Sequence, residues 1–122
     1  MLSINTFRKL ALSLPEVTEE PHFEKTSFRV KKKIFATYDA ANNRACVKLS
    51  EIDQDVFCLA DKSAVYPVPN KWGKQGWTLI ELKKVKKELF EDALVTAYCE
   101  VAPKGLGDGI KAAPPTSPPG LP

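Results

Sequence analysis

The feature that most constrains the fold of this chain is a change in the spacing of its apolar residues. In the middle of the chain, apolar and polar side chains alternate in three short segments, at residues 27–30, 34–38 and 44–49. A period of two residues is typical of strands that bury one face. Because only a few residues separate these segments, consecutive strands are expected to pair antiparallel through hairpins. The pattern predicts a three-stranded meander.

The alternation also predicts which side chains share a face of the sheet. In the first and third segments, the apolar residues alternate with residues that include Arg29, Arg44 and Lys48. In the second segment, Ile34, Ala36 and Tyr38 are expected on one face, with Phe35 and Thr37 on the other. The apolar residues of the first and third segments should face the helices, together with Ile34, Ala36 and Tyr38 of the second segment.

Helical spacing brackets this region. Residues 3–14 carry apolar side chains three and four positions apart, with Ser3 as the predicted N-cap and Pro15 as the expected end. The longest helix is predicted from near Val85 to Pro103, because an apolar stripe recurs there with helical periodicity. This last helix is expected to form the back of the core.

A second, shorter helix is predicted over residues 51–60. Ser50 and Asp53 form a capping-box-like pair at its start, ahead of apolar residues with helical spacing. Those apolar residues are Ile52, Val56, Leu59 and Ala60.

Two further strands are expected after this helix. Residues 65–68 are extended but interrupted by Pro67, which favours an edge strand, whereas residues 77–82 alternate well and should be fully paired. The predicted fold class is therefore α+β, with an antiparallel sheet in the order α-β-β-β-α-β-β-α and helices packed on one face.

Length and composition indicate one domain. The chain has 122 residues, of which 43% are hydrophobic and 27% charged, values close to those of ordinary globular domains. Residues 105–122 contain four glycines and five prolines and few large side chains, so they are expected to form a flexible tail. The predicted domain spans residues 1–104.

Targeting signals and a cysteine framework are not evident in the sequence. No apolar run approaches the roughly 20 residues that a membrane span needs. The three cysteines, Cys46, Cys58 and Cys99, are odd in number and far apart, which argues against a disulfide framework or a CxxC pair. A cytoplasmic protein with reduced thiols and no membrane association is expected.

Basic residues are segregated along the chain although the net charge is only +3. Residues 25–48 contain seven lysines and arginines with a single acid, and residues 62–87 repeat this balance. Side-chain alternation predicts that Arg29, Arg44 and Lys48 share the face of the sheet without helices. That face is either an ordinary solvated surface or a phosphate-binding one.

A tryptophan-glycine-lysine element follows the second helix. It reads KWGKQGW at residues 71–77, with two glycines in a turn between two large aromatic residues. Lys71 and Lys74 could hold phosphate while Trp72 stacks on a base. Trp77 begins an alternating strand and is expected in the core.

Several segments, in this order, resemble the MmcQ/YjbR family. They read LPEV at residues 14–17, PHFEKTSFRV at 21–30, KIFAT at 33–37, VKL at 47–49, WGKQGW at 72–77 and VAPK at 101–104. The resemblance covers about residues 1–106 and implies a small α+β domain with a fold likened to that of frataxin-like CyaY proteins. It also implies a DNA-binding or unknown function, and it supplies no catalytic residues.

Candidates for catalysis and metal binding are few. His22 is the single histidine, and Cys46 would be a reactive thiol only if Arg44 and Lys48 lowered its pKa. The acids of residues 16–24 lack the spacing of a cation-binding loop. Neither phosphate-cradling glycine motif occurs. We therefore expect no enzyme activity, no catalytic or metal-binding residues and no cofactor.

The leading hypothesis is weak, sequence-independent binding of DNA or another polyanion on the basic sheet face. Phosphate contacts are assigned to Arg29, Lys31, Lys32, Lys33, Arg44, Lys48, Lys71 and Lys74, and base stacking to Trp72. The alternative is a protein-interaction module or homodimer that uses the same face and exposes Phe35 or Trp72. A small-molecule or enzymatic role would require a pocket near His22 and Cys46.

Overall fold

The computed structural model describes residues 2–103. The described part of the chain contains four helices and six strands. In chain order these are α1 (Ile4–Leu12), β1 (Val17–His22), β2 (Lys25–Val30), β3 (Lys33–Asp39), β4 (Arg44–Lys48), α2 (Glu51–Ala60), β5 (Val65–Pro67), α3 (Lys71–Lys74), β6 (Trp77–Glu81) and α4 (Lys87–Val101). The tail predicted over residues 105–122 lies outside the described residues.

The six strands form one antiparallel sheet in the order β1-β2-β3-β4-β6-β5. Strands β1 to β4 are a meander of hairpins, and β6 lies between β4 and the short edge strand β5. One register row runs across the sheet through Ser27, Thr37, Cys46, Leu79 and Tyr66. The α+β class with an antiparallel sheet is confirmed.

The core lies between one face of the sheet and the helices. Phe7 of α1 stacks on Phe28 of β2, with 4.9 Å between ring centroids, and meets Phe90 of α4 edge to face. The hydroxyl of Tyr98 in α4 donates a hydrogen bond of 2.7 Å to the carbonyl of Pro15. The apolar residues that alternate along β2 and β4 are fully buried here, as the two-residue period predicts.

Strand β1 is the principal element that the sequence pattern misses. Its side chains are mostly exposed, because it lies at the edge of the sheet and only its ends are partly buried. Without a buried face, an edge strand shows no apolar alternation. Its hairpin to β2 turns at Phe23, which has a φ of 57° and is 94% exposed. The one-turn helix α3 is likewise too short to produce a periodic signal.

A β-bulge corrects the predicted facing of strand β3. The pairing of β2 with β3 shifts register between Phe28 and Arg29, so that Arg29 lies opposite Ile34. Phe35 is consequently buried against the ring of Tyr98, at 5.5 Å between centroids, while Ile34 lies on the open face. The prediction that Phe35 could contribute to an exposed patch was wrong for this reason.

The apolar residues that mark α2 in the sequence face away from the core. Ile52, Val56 and Leu59 are exposed, and the buried residue of this helix is Gln54. The Gln54 side-chain nitrogen donates to the carbonyls of Gly73 and Trp77 and to the hydroxyl of Thr78, at 2.9 to 3.2 Å. These hydrogen bonds set the rotation of α2 about its axis. Within residues 2–103, no helix has the length and apolar character to cross a membrane.

Candidate binding groove on the open sheet face

The face of the sheet opposite the helices carries an open groove of about 570 Å³. Strands β2, β3, β4 and β6 form its floor, and the segment that includes α3 overhangs one end. The sheet register divides its lining into an apolar end (Ile34, Val68, Trp72 and Trp77), a middle row (Thr37, Cys46 and Leu79) and a polar end (His22, Lys25, Asp39, Asn42 and Arg44). We refer to this feature as the open-face groove.

At the polar end, the charge of Arg44 is balanced by carboxylates. Its Nη1 lies 3.2 Å from the Tyr66 hydroxyl oxygen and 3.9 Å from Oε2 of Glu81, to which Tyr66 donates a hydrogen bond. Asp39 is its register partner on β3. A hydrogen bond of 2.8 Å from Asn42 holds the pKa of Asp39 below its usual value, with Lys25 and Arg44 adding to the effect. Arg44 therefore lies among anions at neutral pH.

Arg29 and Lys48 also lie on the open face, where side-chain alternation places them. Nε of Arg29 donates to the hydroxyl of Ser27 at 3.0 Å. Nζ of Lys48 donates to the carbonyl of Gln75 at 2.6 Å, which ties the end of β4 to the segment between α3 and β6. Both cations therefore have neighbouring protein groups as partners, a feature that side-chain alternation alone does not reveal.

Five other lysines lie around the end of the sheet where β2 and β4 end and β3 and β6 begin. They are Lys31, Lys32 and Lys33 near the β2–β3 turn and Lys71 and Lys74 in α3, and all are exposed. We call these five residues the basic end. Nζ of Lys31 pairs with Glu16 at 2.5 Å. Within residues 2–103, the other four form no ion pair.

The β2–β3 turn holds two lysines in an unfavourable backbone conformation. Lys31 has a φ of 50° and Lys32 a φ of 70°, and together they form the two-residue connection between paired Val30 and Lys33. Positive φ at both positions is the pattern of a type I′ turn, for which Asn-Gly is the preferred sequence. The turn thus presents two neighbouring cations at a cost of about 1 to 2 kcal/mol per residue.

Trp72 is held at the apolar end of the groove by the tight packing of α3. The indole is 50% exposed, and Nζ of Lys71 lies 5.9 Å from its ring centroid. A Cβ on Gly73 would come within 1.9 Å of the carbonyl oxygen of Val68, so this helix can approach the preceding chain only with glycine there. At Gly76 the φ is 103°, a conformation that favours glycine. Trp77 was expected in the core, but it is only partly buried and also lines the groove.

His22 and Cys46 both line the groove, so an open site exists where a small-molecule role would require one. The condition for a reactive thiol, a pKa lowered by Arg44 and Lys48, is not met. Burial raises the pKa of Cys46 to about 11, and the nearby charge of Lys25 offsets this effect only in part. The thiol is therefore protonated at neutral pH and is a poor nucleophile. Among residues 2–103, no group of three histidine, cysteine, aspartate or glutamate side chains could hold a metal ion.

Comparison with known proteins identifies the fold and a family. A family model described as YjbR matches residues 12–100. The crystal structure of the Deinococcus radiodurans protein DR2400, which carries the family domain DUF419, is similar with a TM-score of 0.74 and 23% sequence identity. That match covers 98% of this chain and 94% of the other. A search among proteins of curated function gave no match.

Proposed function

The chain belongs to the YjbR family, and the family match names no reaction. Because exposed lysines also flank an exposed tryptophan, we propose a non-catalytic nucleic-acid-binding function. The ligand is single-stranded nucleic acid, bound weakly and without sequence preference. The observation that carries the proposal is the position of Trp72, half-exposed between Lys71 and Lys74 at the apolar end of the open-face groove.

The chemistry of single strands fits this arrangement. Proteins that bind single strands without sequence preference combine cations that follow the backbone with aromatic rings on which bases stack. Here the lysines of the basic end supply the first component, and Trp72 supplies the second. The apolar end of the groove, with Ile34 and Trp77, would accept an unpaired base next to the indole. A duplex conceals the faces of its bases, so Trp72 has no role with double-stranded DNA.

The basic residues differ in what they contribute to the proposed site. Four lysines are exposed and form no ion pair within residues 2–103, and these are expected to carry most of the phosphate contacts. They are Lys32, Lys33, Lys71 and Lys74. Arg29, Lys31, Arg44 and Lys48 have protein partners and are expected to contribute less.

A salt series with a fluorescent mixed-sequence single-stranded oligonucleotide tests this function. With about four phosphate contacts, affinity should fall about 50-fold between 50 and 200 mM salt. The variant Lys71→Glu/Lys74→Glu should weaken binding strongly, and Trp72→Ala should weaken it by about 5- to 150-fold through lost stacking.

The matched control is Lys83→Glu/Lys84→Glu, which makes the same change of charge beyond the far end of β6. Its affinity should stay close to that of the original protein. Equal losses in the two lysine variants, or binding that is insensitive to salt, would mean that no defined nucleic-acid site exists at the basic end.

A second candidate function is protein recognition on the same face. The observation in its favour is the apolar part of the groove, where Ile34, Leu79 and Trp77 lie beside Trp72. A partner or a second copy of this chain that covers the groove would bury these side chains. Measurement of the solution mass separates the two functions, because a dimer that covers the groove would exclude a nucleic-acid strand and would be disrupted by Trp72→Ala.

A further inference from the structure

Helix α2 presents an apolar stripe to solvent on a surface separate from the open-face groove. Ile52, Val56 and Leu59 lie one helical turn apart and are 76%, 57% and 70% exposed. Single exposed apolar residues are common, but three on one face of one helix form a continuous strip. We call these three residues the α2 stripe.

The orientation of α2 is held by specific contacts. Gln54, on the opposite side of the helix, is buried and donates to three oxygens of the α3–β6 region. The Ser50 hydroxyl also caps the helix by accepting from the amide of Asp53 at 3.1 Å. Turning the α2 stripe inward would break all three hydrogen bonds of the buried Gln54 amide. The stripe therefore faces solvent in the folded domain.

The rim of the stripe is acidic. Glu51 and Asp55 lie on one flank and Asp53 on the other, and Asp61 follows at the end of the helix. A hydrogen bond from Ser63 lowers the pKa of Asp61, so that carboxyl is ionised at neutral pH. Two lysines lie near this end of the helix: Lys62 follows Asp61, and the charge of Lys86 adds to the lowering of the Asp61 pKa. The other three carboxylates of the rim form no ion pair within residues 2–103. A surface that is apolar along its centre and anionic at its rim is complementary to a ligand that is apolar at its centre and cationic at its rim.

A groove extends this surface towards the sheet. It has a volume of about 410 Å³ and lies between α2 and strand β5. The helix contributes Asp55, Cys58 and Leu59, the strand contributes Val65, Tyr66 and Pro67, and Lys62 lines the groove between them. A rod-shaped ligand laid along α2 would therefore contact the stripe on one side and this groove on the other.

We propose that the α2 stripe and the adjoining groove bind an amphipathic basic helix of a partner protein, with apolar residues three and four positions apart and lysine or arginine on its flanks. This is the helix-in-groove mode of recognition. A second copy of α2 fits poorly, because two such helices would bring their acidic rims together. An anionic membrane surface is disfavoured by the same carboxylates.

A synthetic helical peptide tests the proposal with the full-length chain. The probe is an 18-residue amphipathic peptide of leucine and lysine, labelled for fluorescence anisotropy. Its counterpart has glutamate in place of every lysine. The leucine-lysine peptide should bind, and the leucine-glutamate peptide should bind at least about 10-fold more weakly. Failure of the full-length chain to bind the leucine-lysine peptide overturns the proposal.

Variants locate the binding. Ile52→Ser/Val56→Ser/Leu59→Ser should weaken peptide binding by about 10-fold or more. The control Leu12→Ser/Phe23→Ser removes two exposed apolar side chains elsewhere and should leave binding unchanged. All substituted residues are exposed, so thermal unfolding should show that both variants remain folded. Equal effects in the two variants would overturn the proposed site.

Charge reversal makes the test specific. Glu51→Lys/Asp55→Lys should make the leucine-glutamate peptide bind more tightly than the leucine-lysine peptide. A nonspecific apolar surface would still bind the two peptides in the original order of affinity. The solution mass of the unmodified chain provides a further check. A dimer that the triple serine variant abolishes would show that a second copy covers the stripe, and this would overturn the proposal of a partner helix.

Discussion

At the scale of the residue, the proposed function and stability make opposite demands on the β2–β3 turn. Lys31 and Lys32 occupy two consecutive positions with positive φ, where asparagine and glycine are the usual residues. Backbone strain of this kind persists where the surrounding structure enforces it, and it is frequent at functional sites. The turn also places both lysines at the tip of a hairpin, where they can reach a polyanion.

Lys32→Gly should therefore stabilise the protein. Glycine adopts a φ of 70° without the steric cost that lysine incurs, so the free energy of unfolding should rise by about 1 kcal/mol. Urea unfolding monitored by tryptophan fluorescence would measure the change. The matched control is Lys33→Gly, at the start of β3, which should destabilise the protein by about 0.5 to 1 kcal/mol. A loss of stability in Lys32→Gly would contradict this account of the turn.

Cys46 should show low reactivity that rises only at high pH. Because burial raises its pKa to about 11, the native thiol carries little thiolate at pH 8. Alkylation by iodoacetamide, followed residue by residue with mass spectrometry, should be slower at Cys46 in the folded protein than in urea. Rapid alkylation of native Cys46 at neutral pH would contradict the raised pKa and would make the thiol a candidate nucleophile.

The same pKa shift links Cys46 to stability at alkaline pH. The folded state holds the thiol proton more tightly than the unfolded state, so the contribution is complete below the ordinary cysteine pKa of about 8.5. It is lost as pH rises towards about 11. The unmodified protein should consequently lose more stability over this range than Cys46→Ala does.

At the scale of the element, α2 shows how a polar contact can override hydrophobic periodicity. Its apolar residues have helical spacing, yet the side chain that enters the interior is the amide of Gln54. Burial of the three apolar side chains would contribute about 1.5 to 3 kcal/mol for each of them. The buried amide of Gln54 instead forms three hydrogen bonds with the α3–β6 region, which would be lost if the helix turned. The helix therefore docks through its polar side.

Gln54→Ala should destabilise the domain by about 2 kcal/mol, because the three hydrogen bonds of a buried amide and the packing of its side chain are lost. The exposed neighbour Asp55→Ala provides the control and should change stability by less than about 0.5 kcal/mol. Chemical denaturation of the two variants would compare them directly. Equal stability of both would show that α2 is held by contacts other than those of Gln54.

Periodicity predicts most of the elements and fails where neighbours decide the structure. The positions of α1, α4 and the strands with one buried face follow from apolar spacing. The edge strand β1 has no buried face to produce such a signal, and the bulge opposite Ile34 changes the facing of Phe35 through a pairing that no local pattern encodes. Both depend on contacts between segments distant in sequence.

The sequence likewise predicts which residues lie at the candidate site, but it does not predict their partners. Alternation places Arg29, Arg44 and Lys48 on the open face, but their partners come from other strands and from the chain around α3. The ion pair of Arg44 with Glu81 arises only when β6 lies beside β4. Charge segregation in a sequence therefore identifies candidate cations and does not reveal which of them are neutralised.

At the scale of the whole molecule, the two proposed surfaces occupy different parts of the domain. The basic end and the open-face groove combine cations with an indole, whereas the α2 stripe combines apolar side chains with carboxylates. Opposite charge on the two surfaces suits two ligands of opposite charge. The domain could then hold a nucleic-acid strand and a basic protein segment at the same time.

Independence of the two surfaces is a prediction of its own. Ile52→Ser/Val56→Ser/Leu59→Ser should leave oligonucleotide affinity within about twofold, and Lys71→Glu/Lys74→Glu should leave peptide affinity within the same limit, because sites without shared contacts act additively. Anisotropy titrations of each variant with each ligand would measure this. Loss of both activities in either variant would indicate one continuous surface.

Both borders of the sheet discourage the addition of further strands. On β1, Glu19 and Glu20 precede Pro21, and on the three-residue β5 the last position is Pro67. Proline cannot donate to a ladder of backbone hydrogen bonds, and carboxylates repel a like-charged neighbour. This architecture resists growth into fibrillar assemblies, and it directs molecular recognition to side chains on the broad surfaces of the domain.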